Sequence, residues 1–217
     1  MRVLVVDIGG TNVKILATGQ QAPRKFPSGS KLTPRQMVAQ IKTLAEDWKY
    51  DAVAIGYPGL VRDNRILTEP RNLAKGWIGF NFKSAFGRPV RIINDAAMQA
   101  LGSYKRGLML FLGLGTGLGA ALVAKGVVIP MELAHLSFKN GTYEDYLGVR
   151  ALKRLGRKKW EKHVAFGTKR ITEAVHPDDV VLGGGNAKKL KKLPAGARLG
   201  DNANAFIGGF RLWDHPL

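Results

Sequence analysis

Two copies of one short pattern constrain the fold of this chain more than any other feature of its sequence. In the first copy, an apolar run from Val3 reaches Asp7, passes through Gly9 and Gly10, and becomes a second apolar run. The second copy, residues 108–123, has the same order of strand, glycine turn with a threonine, and strand. Each copy predicts a β-hairpin. Two such hairpins predict a chain built from two halves.

The glycine turns have two interpretations from sequence. A glycine has no Cβ, so its backbone can adopt positive φ and bring N–H groups close to a phosphate. In the first turn Thr11 and Asn12 add side-chain donors, and Asp7 could hold a divalent cation. The turns could equally be plain connections between strands. The GxGxxG motif and the GxxxxGK[ST] loop are excluded, because both require a helix next and residues 13–18 have a strand pattern.

Composition fits a globular protein of one large domain or two small lobes. The 217 residues are 45% hydrophobic and 23% charged, and none is cysteine. The lack of cysteine excludes a disulfide framework and a cysteine zinc site, and the lack of a signal peptide favours the cytoplasm. The longest uncharged run, residues 108–124, is short of the ~20 residues of a membrane span and carries alternating glycines, which predicts buried strands.

The chain is strongly basic, with a formal net charge of +18 and a sequence pI of about 10.4. Residues 151–200 contain thirteen Lys or Arg and four Asp or Glu, a net +9. This charge fits either a solvated basic face on two helices or an anion-binding groove. The two clusters are Lys153, Arg154, Arg157, Lys158, Lys159 and Lys162, and Lys188, Lys189, Lys191 and Lys192. No base-stacking motif accompanies them, so nucleic acid is not the expected partner.

Local patterns predict several further elements. Thr33 and Pro34 begin an amphipathic helix whose apolar positions are 37, 41, 44 and 48. Residues 52–55 form a buried strand, and residues 60–88 form a crossover loop whose Asn72 could hold a polar ligand such as a sugar. Residues 201–213 form a helix with one apolar face, made of Phe206, Ile207 and Phe210.

Asn94 and Asp95 lie between a strand over 89–93 and a small-residue helix over 96–104. Ligand groups cluster at the carboxyl ends of strands in open α/β sheets, which suits Asp95 for catalysis. The same pair before two alanines is a good helix cap, and taken alone it favours capping. Both interpretations stay open at this point.

Three further polar groups have the same ambiguity. Glu132 and His135 would share a face if they lie on a helical turn; they are not part of an HExxH motif, so a metal site is not predicted. They could bind hydroxyl groups or form a plain surface pair. Glu144 is another acceptor or an exposed acid at a helix start.

A strand over 179–182 is followed by three glycines and a helix over 187–190. This order predicts a cradle for a phosphate or a flat base at a helix N-terminus.

Five motifs in order resemble the ROK family (repressor, open reading frame, kinase) of sugar kinases. They are Asp7-Ile-Gly-Gly-Thr, Asn94-Asp95, the Leu-Gly-Leu-Gly-Thr-Gly-Leu-Gly run over 112–119, Glu132-Leu-Ala-His135 and Leu182-Gly-Gly-Gly185. Their order and spacing match over almost the whole chain. Residues 72–77 and 89–95, and the compact length, look most like the polyphosphate glucokinase branch.

The resemblance implies an α/β, two-lobed actin-like ATPase (ribonuclease H-like) fold with mixed sheets and an active site in the cleft between the lobes. We expect an N-terminal α/β lobe over 1–95 and a C-terminal α/β lobe over 96–200. The helix over 201–213 is expected to pack back on the first lobe. Glycine turns facing each other across the cleft would clamp the phosphate chain of the donor from both sides.

The implied activity is that of a hexokinase/glucokinase-type phosphotransferase. It transfers a terminal phosphoryl group from ATP or inorganic polyphosphate to a hexose hydroxyl, with glucose to glucose 6-phosphate as the first expectation. By position, Asp95 corresponds to the general base and Asp7 supports Mg²⁺ through water. The implied sugar ligands are Asn72, Asn94, Glu132, His135 and Glu144. The implied phosphate ligands are Gly9, Gly10, Thr11, Asn12, Lys14, Gly115, Thr116 and Gly117. The implied nucleotide ligands are Gly183, Gly184, Gly185 and Asn186.

The chain also departs from the family pattern. Many members carry a cysteine-rich zinc motif after the ExxH element; this chain has no cysteine, so no zinc is expected and His135 must be held by other means. Ala134 stands where the family usually has glycine. Asp7 is so near the start that no winged-helix domain is expected before it. The resemblance allows a homodimer and gives no membrane partner. The competing class is a non-catalytic sugar-, nucleotide- or polyanion-binding actin-like protein.

Overall fold

The computed structural model of the protein describes residues 1–214, which form two compact units. One unit is Met1–Met98 together with residues 205–214, and the other is Gln99–Asn204. The expectation from sequence drew these limits after residues 95 and 200.

The described residues contain fourteen strands and six α-helices. In chain order they are β1 Val3–Ile8, β2 Asn12–Ala17, β3 Arg24–Pro27, α1 Pro34–Leu44, β4 Ala52–Tyr57, β5 Val61–Arg62, β6 Arg65–Ile66, α2 Phe82–Phe86, β7 Val90–Asn94, α3 Asp95–Ser103, β8 Leu108–Leu114, β9 Leu118–Ala124, β10 Val127–Met131, β11 Ser137–Phe138, β12 Gly141–Thr142, α4 Tyr143–Leu147, α5 Val149–Val175, β13 Asp179–Gly183, β14 Ala197–Leu199 and α6 Asn204–Arg211.

Each unit is built on a five-stranded mixed sheet, and the two sheets have the same topology. The strand orders are β3-β2-β1-β4-β7 and β10-β9-β8-β13-β14. The first three strands of each sheet pair antiparallel and the last three pair parallel. Both predicted hairpins are therefore confirmed, as β1–β2 and β8–β9. Every residue of β4 is buried, as expected for a parallel strand covered on both faces.

Helix α1 begins where the sequence predicts. Thr33 accepts a hydrogen bond from the backbone N–H of Gln36, and the Gln36 side chain accepts from the backbone N–H of Thr33, which completes a capping box. Met37 and Ile41 are fully buried. The helix ends at Leu44, so Trp48 lies in the following turn, although it remains buried.

Helix α6 packs against the first sheet, because a Cβ on Gly209 would clash with the side chain of Val5 in β1. Phe206 is buried, but Ile207 is 42% exposed. The prediction that Ile207 shares the apolar face was wrong, since consecutive residues of an α-helix point about 100° apart.

Two basic clusters lie on different kinds of structure. Lys153 to Lys162 belong to α5, which is two helical segments joined at Gly156, where φ is 73° and ψ is 161°. Trp160 anchors the second segment; it is fully buried and its Nε1 donates to the Leu147 carbonyl at 2.8 Å. The 188–192 cluster was expected on a helix, and it lies instead on a 3₁₀ turn, Ala187–Lys189, and the loop after it.

Within residues 1–214, no helix combines the length and the apolar character that crossing a membrane requires.

Candidate active site

The first unit brings two candidate carboxylates to one edge of its sheet. Asp7, near the end of β1, lies beside Gly56 of the parallel strand β4. A Cβ on Gly56 would clash with the Met98 side chain and lie 3.5 Å from Cα of Asp95. Asp95 is the first residue of α3, directly after β7. Asp7 and Asp95 therefore both lie next to Gly56, at the carboxyl ends of three adjacent parallel strands. The space at position 56 is too small for a Cβ.

The Asn94 side chain caps helix α3, as the capping interpretation of the Asn94-Asp95 pair predicts. Its Oδ1 accepts from the backbone N–H groups of Ala96 at 3.0 Å and Ala97 at 3.1 Å. Its Nδ2 donates to the Gly59 carbonyl at 3.1 Å, which ties the end of β7 to the turn after β4. Asp95 Oδ1 also accepts from Ala96, at 2.8 Å. Both side chains therefore accept backbone N–H groups at the start of α3.

Asp7 is a carboxylate whose pKa lies above its ordinary value. Burial raises the pKa of Asp7, because removal from water penalises its charged form, and the positive charge of Lys14 lowers it by less. Lys14 is the residue opposite Asp7 in the β1–β2 pair. A carboxylate held in this state is a suitable ligand for a divalent ion.

The Gly9–Gly10 turn is closed by backbone and side-chain hydrogen bonds. Gly9 N–H donates to the Asn12 carbonyl at 3.0 Å, and Ser28 Oγ donates to the Gly9 carbonyl at 2.8 Å. Neither Gly9 nor Gly10 has positive φ, so the conformational reason given for these glycines was wrong. The physical reason at Gly9 is space, since a Cβ there would lie 2.9 Å from the Asn12 carbonyl oxygen.

Thr11 and Asn72 complete the exposed part of this turn. Thr11 and Gly10 are exposed, and Asn72 reaches back from the loop after β6. The Asn72 Nδ2 atom lies 3.6 Å from the place that a Cβ on Gly10 would occupy. The structure therefore brings together Asn72 and the glycine turn, which are far apart in sequence.

In the second unit, the Gly115–Gly117 turn is the meeting point of three segments. Within the turn, Gly115 N–H donates to the Gly117 carbonyl at 3.2 Å. The Val149 N–H, at the start of α5, donates to the Gly115 and Thr116 carbonyls at 3.1 and 3.2 Å. Asn186 Nδ2 donates to the Gly115 carbonyl at 2.9 Å. The basic helix and the triple-glycine segment thus both bond directly to the predicted phosphate turn.

The triple-glycine segment packs closely against the end of β8. Gly184 has φ of 81°, and a Cβ on it would lie 2.7 Å from the Leu114 carbonyl oxygen. Asn186 is buried, its N–H donates to Leu114 at 2.9 Å, and its Oδ1 accepts from Lys189 Nζ at 2.8 Å. A helix was expected next, but only the 3₁₀ turn follows, so a helix N-terminus does not supply the predicted cradle. Gly183 is the last residue of β13, and the space around Gly185 is open.

Glu132 and His135 do not lie on a helix. They belong to the connection between β10 and β11, where Leu136 N–H donates to the Leu133 carbonyl at 3.2 Å, and both side chains are exposed. Glu144 is attached to this connection, because its N–H donates to the Ala134 carbonyl at 3.0 Å. The Glu144 carboxylate packs on Gly117, where an added Cβ would clash with Oε2. Glu144 therefore lies beside the predicted phosphate turn.

The sequence reasoning missed Ser28 and placed Gly56 outside the strand that contains it. The strand predicted over 52–55 continues to Tyr57, so Gly56 lies inside β4 and not in the turn after it. A glycine inside an otherwise apolar strand often marks close approach of another backbone. Ser28 gave no such signal, because it lies between Pro27 and Gly29 in a stretch without a periodic pattern.

The described residues fit a magnesium ion better than a structural metal. Among residues 1–214, no three His, Asp or Glu side chains are arranged to hold an ion, and the chain has no cysteine. Magnesium uses one or two protein carboxylates together with substrate phosphates and water. The carboxylate oxygens of Asp7, which lies next to a glycine turn, match that requirement.

The chain matches known proteins over most of its length. The family model described as "ROK family" matches residues 3–130. The polyphosphate glucokinase of Mycobacterium tuberculosis (strain CDC 1551 / Oshkosh) is 31% identical over 217 residues, covering 86% of this chain and 78% of that protein.

Solved structures agree on the fold. The inorganic polyphosphate/ATP-glucomannokinase of Arthrobacter sp. strain KM has a TM-score of 0.83 at 21% identity, covering 99% of both chains. A ROK family glucokinase from Streptomyces griseus, in complex with glucose and AMPPNP, has a TM-score of 0.78 at 16% identity, covering 98% of this chain and 99% of that one. The predicted fold class, α/β and actin-like with mixed sheets, is confirmed.

Proposed function

The chain belongs to the ROK family, and from that premise we propose that it phosphorylates a hexose at a hydroxymethyl oxygen. Glucose is the first candidate substrate. The activity that we propose is that of a hexokinase-type phosphotransferase that uses ATP or polyphosphate, as the names of its relatives indicate for those proteins. The observation that most supports the proposed site is the gathering of Asp7, the Gly9–Gly10 turn and Asp95 at the carboxyl ends of β1, β4 and β7.

We assign Asp95 as the general base. Its carboxylate takes the proton of the attacking sugar hydroxyl while that oxygen forms a bond to the terminal phosphorus. The bond from that phosphorus to the bridging oxygen of the donor breaks, and the shortened donor leaves with the electron pair. Asn94 fixes the start of α3, the helix on which Asp95 lies.

The remaining polar groups are assigned by what they can donate or accept. Asn72, Glu132, His135 and Glu144 are proposed as ligands of the sugar hydroxyls, since carboxylates accept and amide and imidazole groups can do both. Asn94 is proposed as a sugar ligand only through its remaining hydrogen-bonding capacity, because both of its amide atoms already bond to backbone groups.

The two glycine turns are proposed to bind the phosphates of the donor. Backbone N–H groups of glycine turns suit anionic oxygens, and Lys14 adds a positive charge beside the first turn. Asp7 would hold a magnesium ion through water, and that ion would neutralise phosphate charge. Gly183, Gly184, Gly185 and Asn186 are proposed to hold the nucleoside of ATP; the open space at Gly185 supports this.

The test is a phosphorylation screen of several hexoses with ATP and with polyphosphate, on wild type and Asp95→Asn. We expect wild-type turnover with glucose and a loss of about 10²–10⁴ in kcat for Asp95→Asn, the usual contribution of a general base. Sugar KM should change little. The matched control is Asp63→Asn, an exposed turn residue of the same unit. Normal turnover by Asp95→Asn would remove Asp95 from the mechanism.

A non-catalytic binding protein is not favoured, because the curated relatives are kinases. Cytoplasmic location and a homodimer stay predictions.

A further inference from the structure

The loop that carries Asn72 is closed by a carboxylate with no assigned role. Residues 67–81 connect β6 to α2 without regular secondary structure. Glu69 lies near the start of this loop, three residues before Asn72. Nothing in the proposed chemistry uses Glu69.

Glu69 accepts hydrogen bonds from three successive backbone N–H groups at the far end of the loop. Both of its oxygens lie 3.1 Å from the Gly76 nitrogen, Oε2 lies 3.2 Å from Trp77 N, and Oε1 lies 3.4 Å from Ile78 N. Gly76 has φ of 100°, a conformation that favours glycine. Consecutive N–H groups of this kind form an anion-binding nest, and here the anion is a side chain of the same loop.

The rest of the loop is anchored on the core of the first unit. Trp77 is fully buried, its Nε1 donates to the Ala74 carbonyl at 2.7 Å, and its ring centroid lies 5.6 Å from that of Tyr57. Tyr57 in turn donates its hydroxyl to the Thr68 carbonyl at 2.8 Å. Between these anchors, Leu73 is buried and the Ala74 N–H donates to the Leu32 carbonyl at 3.2 Å. Asn72 is exposed on the other side of Leu73, in the part of the loop that the Glu69 bridge closes.

The charge of Glu69 suits this role. Partial burial raises the pKa of Glu69, but the N–H donors of Trp77, Gly76 and Ile78, together with the positive charge of Lys75, outweigh it and leave the pKa below its ordinary value. The side chain is therefore a carboxylate at neutral pH, and hydrogen bonds to a charged acceptor are stronger than those to a neutral one.

We propose that Glu69 is a positioning residue: by bridging to the N–H groups of residues 76–78, it holds Asn72 beside the Gly9–Gly10 turn. The consequence for sugar phosphorylation rests on the proposed function, whereas the ordering of Asn72 does not.

The experiment compares Glu69→Ala and Glu69→Gln with wild type and with Asp63→Asn, an exposed acid of the β5–β6 turn in the same unit. Hydrogen exchange of the residue 76–78 amides should speed up by at least about tenfold in Glu69→Ala, since three bonds to a charged group are lost. Amides of β1 and β4 should be unchanged, which shows that the variant is folded. The side-chain NH₂ signals of Asn72, followed by NMR, should lose their dispersion in the same variant.

Kinetics give the functional readout. Sugar KM should rise, or kcat/KM for the sugar fall, by about tenfold in Glu69→Ala, while donor KM stays within about twofold of wild type. Glu69→Gln should recover part of the loss, because its carbonyl oxygen still accepts from the nest but its NH₂ cannot. A general loss of stability would instead affect both substrates and would show in β1 and β4.

Each outcome decides the proposal. Unchanged exchange at 76–78 in Glu69→Ala would overturn the bridge, and faster exchange with an ordered Asn72 and normal sugar kinetics would overturn the positioning role. If wild type phosphorylates no sugar, the proposed function fails, while loss of Asn72 ordering in Glu69→Ala would still support positioning. If Glu69→Ala does not fold, Glu69→Gln decides by the same measurements, with unchanged Asn72 signals overturning the proposal.

Discussion

At the scale of single residues, the candidate side chains are held in place by hydrogen bonds that have nothing to do with a substrate. Asn94 caps α3 and holds the turn after β4, and Asn186 joins the end of β8 to the triple-glycine segment. Such bonds pre-organise a site, which is where much of the gain from correct positioning arises. They also mean that a loss of activity on replacing either asparagine would not by itself identify a ligand.

Asp7 gives a prediction in the metal-free protein. Its pKa is raised in the folded chain, so the native state binds the proton more readily than the unfolded state, whose pKa is about 3.9. Stability from this group is therefore greatest below about pH 4 and is lost as pH rises through the raised native pKa. In Asp7→Asn that loss is absent.

The measurement is urea unfolding of wild type and Asp7→Asn in EDTA between pH 4 and 7. We expect the stability of Asp7→Asn relative to wild type to increase with pH across this window, because only wild type pays the cost of ionising a buried carboxylate. A difference for Asp7→Asn that is flat or falls with pH would contradict the raised pKa.

At the scale of elements, glycine is used in these turns for close packing more often than for unusual backbone angles. Gly9 and Gly117 have no positive φ, yet a Cβ on either would collide with the Asn12 carbonyl or the Glu144 carboxylate. Gly184 needs both kinds of freedom, since φ is 81° and the Leu114 backbone is in contact. Its neighbour Gly185 needs neither, which makes the two glycines a matched pair.

Gly184→Ala should therefore destabilise the second unit strongly and Gly185→Ala should not. The first change combines a left-handed backbone with a clash against backbone atoms that cannot move aside, so we expect a loss of ~2 kcal/mol or more. The second has open space, and we expect a change within about 1 kcal/mol. Hydrogen exchange of the β8 and β13 amides, which belong to the second unit, measures both changes. Equal effects would show that the packing of Gly184 on Leu114 is not as described.

At the scale of the whole molecule, one strand order occurs twice, and each copy carries a glycine turn between its first two antiparallel strands. The charge is not repeated in this way, because residues 151–200 alone hold +9 of the net +18. Helix α5, which carries Lys153 to Lys162, begins at Val149, and the Val149 N–H donates to carbonyls of the Gly115–Gly117 turn. A long anionic donor bound at that turn would meet these cations next.

Polyphosphate use should therefore depend on α5 and on salt. Lys158→Glu combined with Lys162→Glu reverses two exposed charges four residues apart, and we expect kcat/KM with polyphosphate to fall by about tenfold, since each exposed charge pair is worth up to about 1 kcal/mol. Activity with ATP should change little. Raising ionic strength from about 0.05 to 0.3 M should weaken polyphosphate use more than ATP use.

The matched control for these reversals is Lys42→Glu, an exposed lysine of α1 in the other unit. It makes the same kind of charge change away from the Gly115–Gly117 turn, so it should leave both donors unaffected. Polyphosphate activity that resists both salt and the α5 reversals would exclude this helix as part of the donor site.

The sequence by itself determined the elements whose information is local. The two hairpins, the capping box that starts α1 and the apolar strands follow from alternation, turn residues and caps within a few positions. The family motifs, also local, identified the fold class. The same local patterns failed after Gly185, where a helix was expected and a 3₁₀ turn is found. At Glu132 and His135 the spacing allowed a helical turn, and the structure has an irregular connection there.

Only the tertiary structure decided which of those elements meet. Strand order and loop closure bring three sets of residues together. Gly56 lies beside Asp7 and Asp95, Asn72 lies beside Gly10, and Glu69 accepts from the backbone of residues 76–78. The space around a glycine and the burial of a carboxylate are set by atoms from distant parts of the chain. A local pattern can mark a closely packed glycine, as it does at Gly56, but it does not specify which distant atoms fill the space, because packing is a property of the folded chain rather than of any one segment.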